Sequence, residues 1–128
     1  MARLVSPADR QRLGIVTNEE RMKKMIAKSE RQLQSQIVQY LRLRGLEVLW
    51  HRTDKKSHAT IGWPDITFSA KVGAFPMPVA IEVKFGSGTL SREQNDLLAR
   101  LQASPNFWRV LVVRNFVEVV DFLREAGL

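Results

Sequence analysis

The spacing of apolar residues predicts an alternation of helices and strands along this chain. One helical stripe opens at the cap-like Ser29-X-X-Gln32 and ends near Gly45, and another follows Ser91-X-X-Gln94. Short runs of β-branched or alternating apolar residues indicate strands. The predicted strands cover residues 46–50, 66–68, 79–85 and 108–113, and a final short helix covers residues 117–123.

The order of these elements predicts the fold class. A helix, three strands, a helix, a strand and a terminal helix make an α/β fold of the type αβββαβ, with a mixed sheet flanked by helices. The strand–helix–strand passage from 79 to 113 demands a parallel pair, because the helix carries the chain back to the same end of the sheet. The segment 71–78 contains two prolines, so we expect a connection outside the sheet there.

The first 28 residues are predicted to form a basic arm and a short helix that extend the fold at its N-terminal side. Thr17-X-X-Glu20 has the pattern of a capping box. Three apolar residues follow it at helical spacing: Met22, Met25 and Ile26. This apolar side can dock on the body of the domain or on a second subunit. We therefore divide the chain into an extension, 1–28, and a domain, 29–128.

Two predicted strands carry charged residues that their alternation places on one face. Glu82 and Lys84 must point the same way, while Ile81, Val83 and Phe85 point to the opposite face, where a core is expected. Alternation of this kind also fits a half-solvated sheet. The motif Gly62-Trp63-Pro64-Asp65 favours a site, because proline stiffens the backbone before the acid and glycine allows a close approach. Asp65 is then expected within reach of Glu82.

This combination predicts a site for a divalent metal ion. Asp65 and Glu82 offer hard oxygen ligands, which suit Mg²⁺ or Mn²⁺ better than zinc. The chain has 0 cysteines and only 2 histidines, His51 and His58, both in a charged segment. A lone loop histidine is more often a surface residue than a ligand. Trp63 can stack on a nucleotide or pack inside, and packing is the favoured interpretation.

The net charge of the chain indicates which class of partner it binds. The net charge is +7 over 128 residues, and residues 1–28 and 42–58 together account for this excess. A solvated surface usually mixes its charges more evenly. We therefore expect a polyanion as partner, with nucleic acid ahead of an acidic membrane surface.

Other features indicate a cytoplasmic protein without a membrane partner. No apolar run approaches the roughly 18 residues that a membrane helix requires. The first residues lack the apolar segment of a secretory signal. The lack of cysteine excludes disulfides and suits a reducing compartment.

The motifs together resemble a known family. Gly62-X-Pro64-Asp65, Glu82-X-Lys84 and Leu90-Ser91-X-X-Gln94 are similar to the motifs of the VRR-NUC group of PD-(D/E)XK nucleases, over about residues 29–115. The resemblance implies a restriction-endonuclease-like core and a Mg²⁺- or Mn²⁺-dependent DNA endonuclease. Small stand-alone members resemble Holliday junction resolvases. The likeness therefore implies branched or structured DNA as substrate, a two-fold homodimer, and a role in replication, repair or recombination in a bacterium or a phage-infected host.

The resemblance also implies metal ligands. Asp65 and Glu82 would bind the ion, with the backbone carbonyl of Val83 as a further ligand. Glu30 would hold the ion's water or a second ion, because these nucleases carry a helix glutamate that faces the metal site. From the residues alone, Glu30 can equally be a first-turn acid that the helix dipole favours.

Two further residues are candidates for catalysis. Lys84 would take a proton from the attacking water or stabilise developing negative charge, and the sequence leaves both roles open. Gln94 lies on the apolar stripe of its helix, where it can be the capping-box partner of Ser91. In the family this glutamine lies beside the active site and hydrogen-bonds water or phosphate.

Six basic residues are the candidates for DNA contact. They are Arg52, Lys55, Lys56, Lys23, Lys24 and Lys28. The competing hypothesis is a catalytically silent DNA-binding module that keeps the nuclease fold. The complete set of Asp65, Glu82 and Lys84 argues against that hypothesis, because a degenerate copy is expected to lose one of the three first.

Overall fold

A computed structural model describes residues 18–51 and 62–128 of the chain. The helices in these ranges are α1 (Asn18–Lys24), α2 (Glu30–Leu43), α3 (Arg92–Gln102) and α4 (Phe116–Glu125). The strands are β1 (Val48–Trp50), β2 (Ile66–Val72), β3 (Phe75–Val83) and β4 (Arg109–Val113). Within the described ranges, no helix combines the length and apolar character needed to cross a bilayer.

The four strands form one mixed sheet in the order β1-β2-β3-β4. β1 and β2 are antiparallel, β2 and β3 are antiparallel, and β3 and β4 are parallel. The predicted α/β class and the parallel pair across α3 are thus confirmed. Both long helices begin at the predicted caps, since the hydroxyls of Ser29 and Ser91 accept from the backbone N–H groups of Gln32 and Gln94.

The two faces of the sheet are covered differently. Helices α2 and α4 cover one face and build the main core on it. The sheet residues in this core include Ile66, Phe68, Val79, Ile81 and Val83. On the opposite face, α3 lays Leu97 and Leu101 on Ala80, with Trp63 and Trp108 packed alongside.

Phe85 does not join the core with Ile81 and Val83, although the alternation predicts that it does. β3 ends at Val83, and the Phe85 side chain is 40% exposed. Alternation between faces holds only while the chain stays extended in the sheet. The prediction for Phe85 is therefore wrong because the strand is shorter than the apolar pattern.

The hairpin between β2 and β3 is tighter than the sequence indicates. Residues 71–78 are predicted to lie outside the sheet, but β2 runs to Val72 and β3 resumes at Phe75, so this prediction is wrong. Gly73, at φ +62°, takes the first central position of the two-residue turn. That position needs a left-handed residue, which glycine provides without strain.

Pro76 and Pro78 lie inside β3 because their backbone nitrogens face a free edge. The N–H of Lys84, at an even position like theirs, points toward β4 and donates to the Val113 carbonyl. β4 begins only opposite Val79. The N–H groups that the prolines lack would therefore have found no strand to bond, and no ladder hydrogen bond is lost.

Helix α1 docks on the body of the domain, which is one of the two alternatives that the sequence left open. Met22 is buried in the main core, and the side-chain amide of Gln36 donates to its carbonyl. Glu19 accepts hydrogen bonds from the Tyr40 hydroxyl at 3.0 Å and from Arg124 at 3.2 Å. The helix is thus held by one apolar anchor and a cluster of polar contacts.

Met25 and Ile26 do not continue the apolar side of this helix as predicted. α1 ends at Lys24, and the two side chains are 61% and 86% exposed. Helical spacing places residues on one face only while the helix continues. Thr17, the predicted cap residue, lies outside the described residues.

Candidate functional site

Asp65 and Glu82 meet on the sheet face that α3 covers. β2 and β3 pair Ile66 with Ile81, so the same register one residue further places Asp65 opposite Glu82. The N–H of Val83 donates to Oδ2 of Asp65 at 2.8 Å, which fixes this carboxyl at the end of β3. Both acids are buried, with relative exposures of 5% and 1%.

Pro64 helps to leave a backbone oxygen open at this point. By the same register, Pro64 lies opposite Val83, whose backbone N–H is turned toward Asp65. A strand residue turns its N–H and C=O to the same side, so the Val83 carbonyl also faces this end of β2. Proline has no N–H to donate to it. The carbonyl is therefore a reasonable third oxygen donor beside the two carboxyls.

The side chains of Lys84 and Gln94 both contact the same oxygen of Glu82. The Nζ atom of Lys84 lies 3.6 Å from Oε1 of Glu82, and Nε2 of Gln94 donates to Oε1 at 2.8 Å. The other oxygen, Oε2, is buried and has no hydrogen-bond partner within the described part of the chain. A buried carboxylate oxygen without a donor is costly, so Oε2 calls for either a proton on Glu82 or a bound cation.

Gln94 is the capping-box partner of Ser91, as one interpretation predicted, and it also contacts Glu82. The side-chain Oε1 of Gln94 accepts a hydrogen bond from the backbone N–H of Ser91 at 2.8 Å. The backbone N–H of Gln94 donates to the Ser91 hydroxyl at 3.1 Å, which completes a capping box. The capping box leaves the amide nitrogen directed at Glu82. The helix cap therefore orients the donor that the site uses.

The two acids disfavour each other's ionised form. The pKa of Glu82 is raised to about 8, first by burial and then by the adjacent charge of Asp65, while Lys84 acts in the opposite direction. Burial also raises the pKa of Asp65, which the N–H of Val83 and a hydrogen bond with Glu82 partly offset. Near neutral pH, Glu82 therefore retains a proton that a bound cation would displace.

Glu30 lies within electrostatic reach of this pair but does not complete a group of three. It is the first residue of α2 and is half-buried. Its charge raises the pKa of both Asp65 and Glu82. Among residues 18–51 and 62–128, no three acidic, histidine or cysteine side chains are arranged to hold a metal ion together. Glu30 is thus an acid of the first helical turn that also acts electrostatically on the pair, and its role toward a metal ion stays a prediction.

The donor set that does converge fits a hard divalent cation. It consists of the Asp65 and Glu82 carboxyls and the Val83 carbonyl, all oxygen donors of the kind that Mg²⁺ and Mn²⁺ prefer. The partnerless Oε2 of Glu82 is the atom that such an ion would satisfy.

Aromatic side chains flank the site on the same face of the sheet. The ring of Trp63 meets His51 edge to face at 6.0 Å and Trp108 at 6.2 Å. Trp63 packs against the smaller core, as favoured. Nε2 of His51 lies 3.1 Å from the Thr67 hydroxyl, and burial lowers the pKa of His51. His58 lies outside the described residues.

The predicted DNA-binding residues fall into two groups. Lys23, Lys24 and Lys28 are exposed at or near α1, where Lys23 is also 3.4 Å from Glu19. Three others lie outside the described residues: Arg52, Lys55 and Lys56.

Comparisons of the chain with protein-family models, with curated proteins and with solved structures found no match.

Gly62 sets how closely α3 approaches the acidic pair, which the sequence motif indicated only as a close approach. Its φ is +85°. A Cβ at this position would lie 2.8 Å from the carbonyl carbon and oxygen of Glu93 and 3.0 Å from the nitrogen of Gln94. These atoms belong to the first turn of α3. Only glycine therefore lets the turn that carries Gln94 sit against the chain that leads into Asp65.

Gly62→Ala is expected to push this turn away and to weaken the contact between Gln94 and Glu82. The stability loss should be about 2 kcal/mol or more, because left-handed strain and a backbone clash add. The pKa of Glu82, followed by carbon NMR, should rise further, since its ionised form loses a donor. Gly45→Ala is the matched control, with φ +80° but no atom within 4 Å. Equal stability losses in the two variants would contradict this role.

Glu82→Gln is expected to stabilise the metal-free protein more at high pH than at low pH. Glu82 has a folded pKa of about 8 against an ordinary value of 4.5, so folding takes up a proton between these values. The parent therefore loses stability as pH rises across that window. The variant should gain on the order of 3 kcal/mol relative to the parent by about pH 9, and little at about pH 5. Urea unfolding in EDTA measures this, and the exposed Glu93→Gln is the control. A gain that is equal at both pH values would contradict it.

Proposed function

We propose that this protein is a divalent-metal-dependent endonuclease that hydrolyses phosphodiester bonds in DNA. One observation carries the proposal: two buried carboxyls lie opposite each other, Lys84 contacts one oxygen of Glu82, and the other oxygen has no hydrogen-bond partner in the described part of the chain. A half-buried lysine and two buried acids on one sheet face are costly to keep unless they serve chemistry. The net charge of +7 supports a polyanionic substrate.

The arrangement also supports the PD-(D/E)XK assignment. The residues of the three motifs that suggested the VRR-NUC group come together around Glu82: Asp65 opposite it, Lys84 beside it, and Gln94 hydrogen-bonded to it. The element order from α2 to β4 is the αβββαβ order that the resemblance implies. Side-chain geometry and strand order are independent observations, and both favour the same family.

Hydrolysis of a phosphodiester needs charge neutralisation, an aimed water and help for the leaving oxygen. A Mg²⁺ or Mn²⁺ ion held by Asp65, Glu82 and the Val83 carbonyl would neutralise the phosphate and acidify water. Lys84, whose side chain is only 13% exposed, is placed to accept a proton or to stabilise developing negative charge. Gln94, fixed by its capping box, orients the Glu82 carboxylate and is close enough to donate to water or phosphate.

The proposed substrate is branched or structured DNA, as for Holliday junction resolvases. Symmetric cleavage of a junction requires two active sites, so the proposal includes a two-fold homodimer. The proposed setting is replication, repair or recombination in the cytoplasm of a bacterium or of a phage-infected host. The exposed lysines Lys23, Lys24 and Lys28 are the proposed contacts with backbone phosphates.

Lys84→Ala is expected to lower the cleavage rate about 100-fold or more while leaving DNA affinity within a few-fold. Lys84 contacts Glu82 rather than the outer surface, so its loss removes chemistry and not a surface charge. Cleavage of labelled four-way junction, flap and linear duplex DNA with Mg²⁺ measures the rate, and binding is measured in EDTA. Arg92→Ala is the matched control, because Arg92 is 92% exposed and pairs only at 3.9 Å with Asp96. A Lys84→Ala protein that cuts as fast as the parent would refute the assigned role. A parent that binds all three DNAs but cuts none would favour the silent-module hypothesis.

Asp65→Ala is expected to abolish measurable binding of Mg²⁺ and Mn²⁺, because it removes one of the two carboxyls that converge. DNA affinity in EDTA should stay the same or increase, since a carboxylate that repels phosphate is gone. Titration calorimetry with each ion measures the first effect. Asp96→Ala, an exposed aspartate on α3, is the control. Undiminished metal affinity in Asp65→Ala would place the ion elsewhere.

A further inference from the structure

A groove of about 530 Å³ crosses the part of the sheet that α3 leaves uncovered. We name it the sheet groove. Its walls and floor include Glu47, Leu49, Thr67, Ser69, Pro78 and Trp108. Most of this lining is apolar, and Leu49 on the floor is 65% exposed. A carboxylate and two hydroxyls stand among the apolar groups, which is the usual composition of a small-ligand site.

The sheet groove lies on the same face of the sheet as the candidate active site. Asp65, Thr67, Ser69 and Lys71 are alternate positions of one extended segment, so they share a face of the sheet. At about 3.3 Å per residue, Thr67 is about 7 Å and Lys71 about 20 Å from Asp65. The exposed Lys71 therefore lies beyond the Ser69 end of the groove, and the acidic pair lies beyond its Thr67 end.

The aromatic ring of Trp108 lines the groove, and two further rings pack in a chain behind it. Trp108 lines the groove and meets Trp63 at 6.2 Å, and Trp63 meets His51, which contacts Thr67. Edge-to-face packing of this kind holds each ring in a fixed orientation. The groove thus has one tryptophan ring, fixed by its packing, and an exposed leucine in its lining.

We propose that the sheet groove binds unpaired nucleobases of the strand that is cut, immediately next to the scissile phosphate. An apolar and aromatic surface suits the face of any base. The Glu47 carboxylate and the Ser69 hydroxyl can accept hydrogen bonds from N–H groups at the base edge, including N3–H of thymine. Lys71 would bind a backbone phosphate where the strand leaves the groove. Paired, stacked bases cannot enter such a groove.

This inference rests on the proposed nuclease function and narrows its substrate. The preferred DNA would carry unpaired nucleotides on one side of the cleavage position, as in a flap, a gap or an opened junction. A second copy of the chain is the competing occupant, and the experiment below separates the two.

Leu49→Asp tests the groove, with Leu43→Asp as its matched control. Both leucines are largely exposed, at 65% and 59%, so neither change empties the core. Leu43 lies at the end of α2, outside the groove lining. Binding of a short labelled oligothymidylate and of an intact duplex is measured in EDTA, together with the quenching of tryptophan fluorescence. Lys71→Ala is a second groove variant whose folding does not depend on an apolar contact.

Leu49→Asp should weaken oligothymidylate binding about tenfold or more, whereas Leu43→Asp should bind it with the same affinity as the parent. Lys71→Ala should weaken it by a smaller factor, and duplex binding should change little in any variant. The parent's tryptophan fluorescence should be quenched by the oligonucleotide. Equal affinities for Leu49→Asp and Leu43→Asp would overturn the proposal. So would a parent dimer that sedimentation shows to dissociate only in Leu49→Asp, because the groove would then be a subunit interface.

Cleavage assays on the same variants separate this inference from the function on which it rests. If the parent cuts DNA and the groove variants bind oligothymidylate normally, the groove is not a base-binding site, but the proposed nuclease function stands. A parent that cuts nothing, while Leu49→Asp alone loses oligothymidylate binding, would retain the groove as a base-binding site and remove the nuclease.

Discussion

The buried contact between the Asp65 and Glu82 carboxyls is the constraint on which the site depends. Two acids at opposite register positions cannot both ionise cheaply away from water, and the pKa of Glu82 is raised to about 8 as a result. An apolar pair in the same two positions would be expected to fold more stably. The fold instead directs an N–H from Val83, an amide from Gln94 and an ammonium from Lys84 at the pair. This partial compensation leaves one oxygen of Glu82 without a donor.

The compensation is built from backbone geometry rather than from flexible side chains. The register of β2 and β3 sets the two acids opposite each other, and Val83 donates from the strand itself. Gln94 is held by its capping box with Ser91, and the first turn of α3 is held close by Gly62. Such groups need little rearrangement when a charge arrives, which is the property that electrostatic catalysis requires. A change in how α3 packs is therefore expected to alter the hydrogen bond between Gln94 and Glu82.

The sequence correctly predicts features that depend on local periodicity, such as the face of a strand and the start of a helix. It fails for features that depend on a distant element or on where an element ends. Alternation correctly placed Glu82 and Lys84 on one face, and the serine caps correctly started both long helices. The prolines of β3 were misassigned because their tolerance depends on where β4 begins. Phe85 and Met25 were misassigned because their elements end earlier than the apolar pattern. The sequence offered the helix cap and the position beside Glu82 as rival alternatives for Gln94. The structure combines the two contacts, because the side-chain oxygen serves the cap and the side-chain nitrogen reaches Glu82.

The number of protein ligands bears on how metal and DNA would bind in the proposed nuclease. The described residues bring together two carboxyls and one backbone carbonyl, which is fewer than the six oxygens of an octahedral ion. Mg²⁺ sites in phosphoryl-transfer enzymes complete their shell with water and substrate phosphate. A bound cation would reduce the repulsion that Glu30 and the acidic pair exert on one another and on a phosphate. Metal and DNA should therefore bind cooperatively, each raising the affinity of the protein for the other.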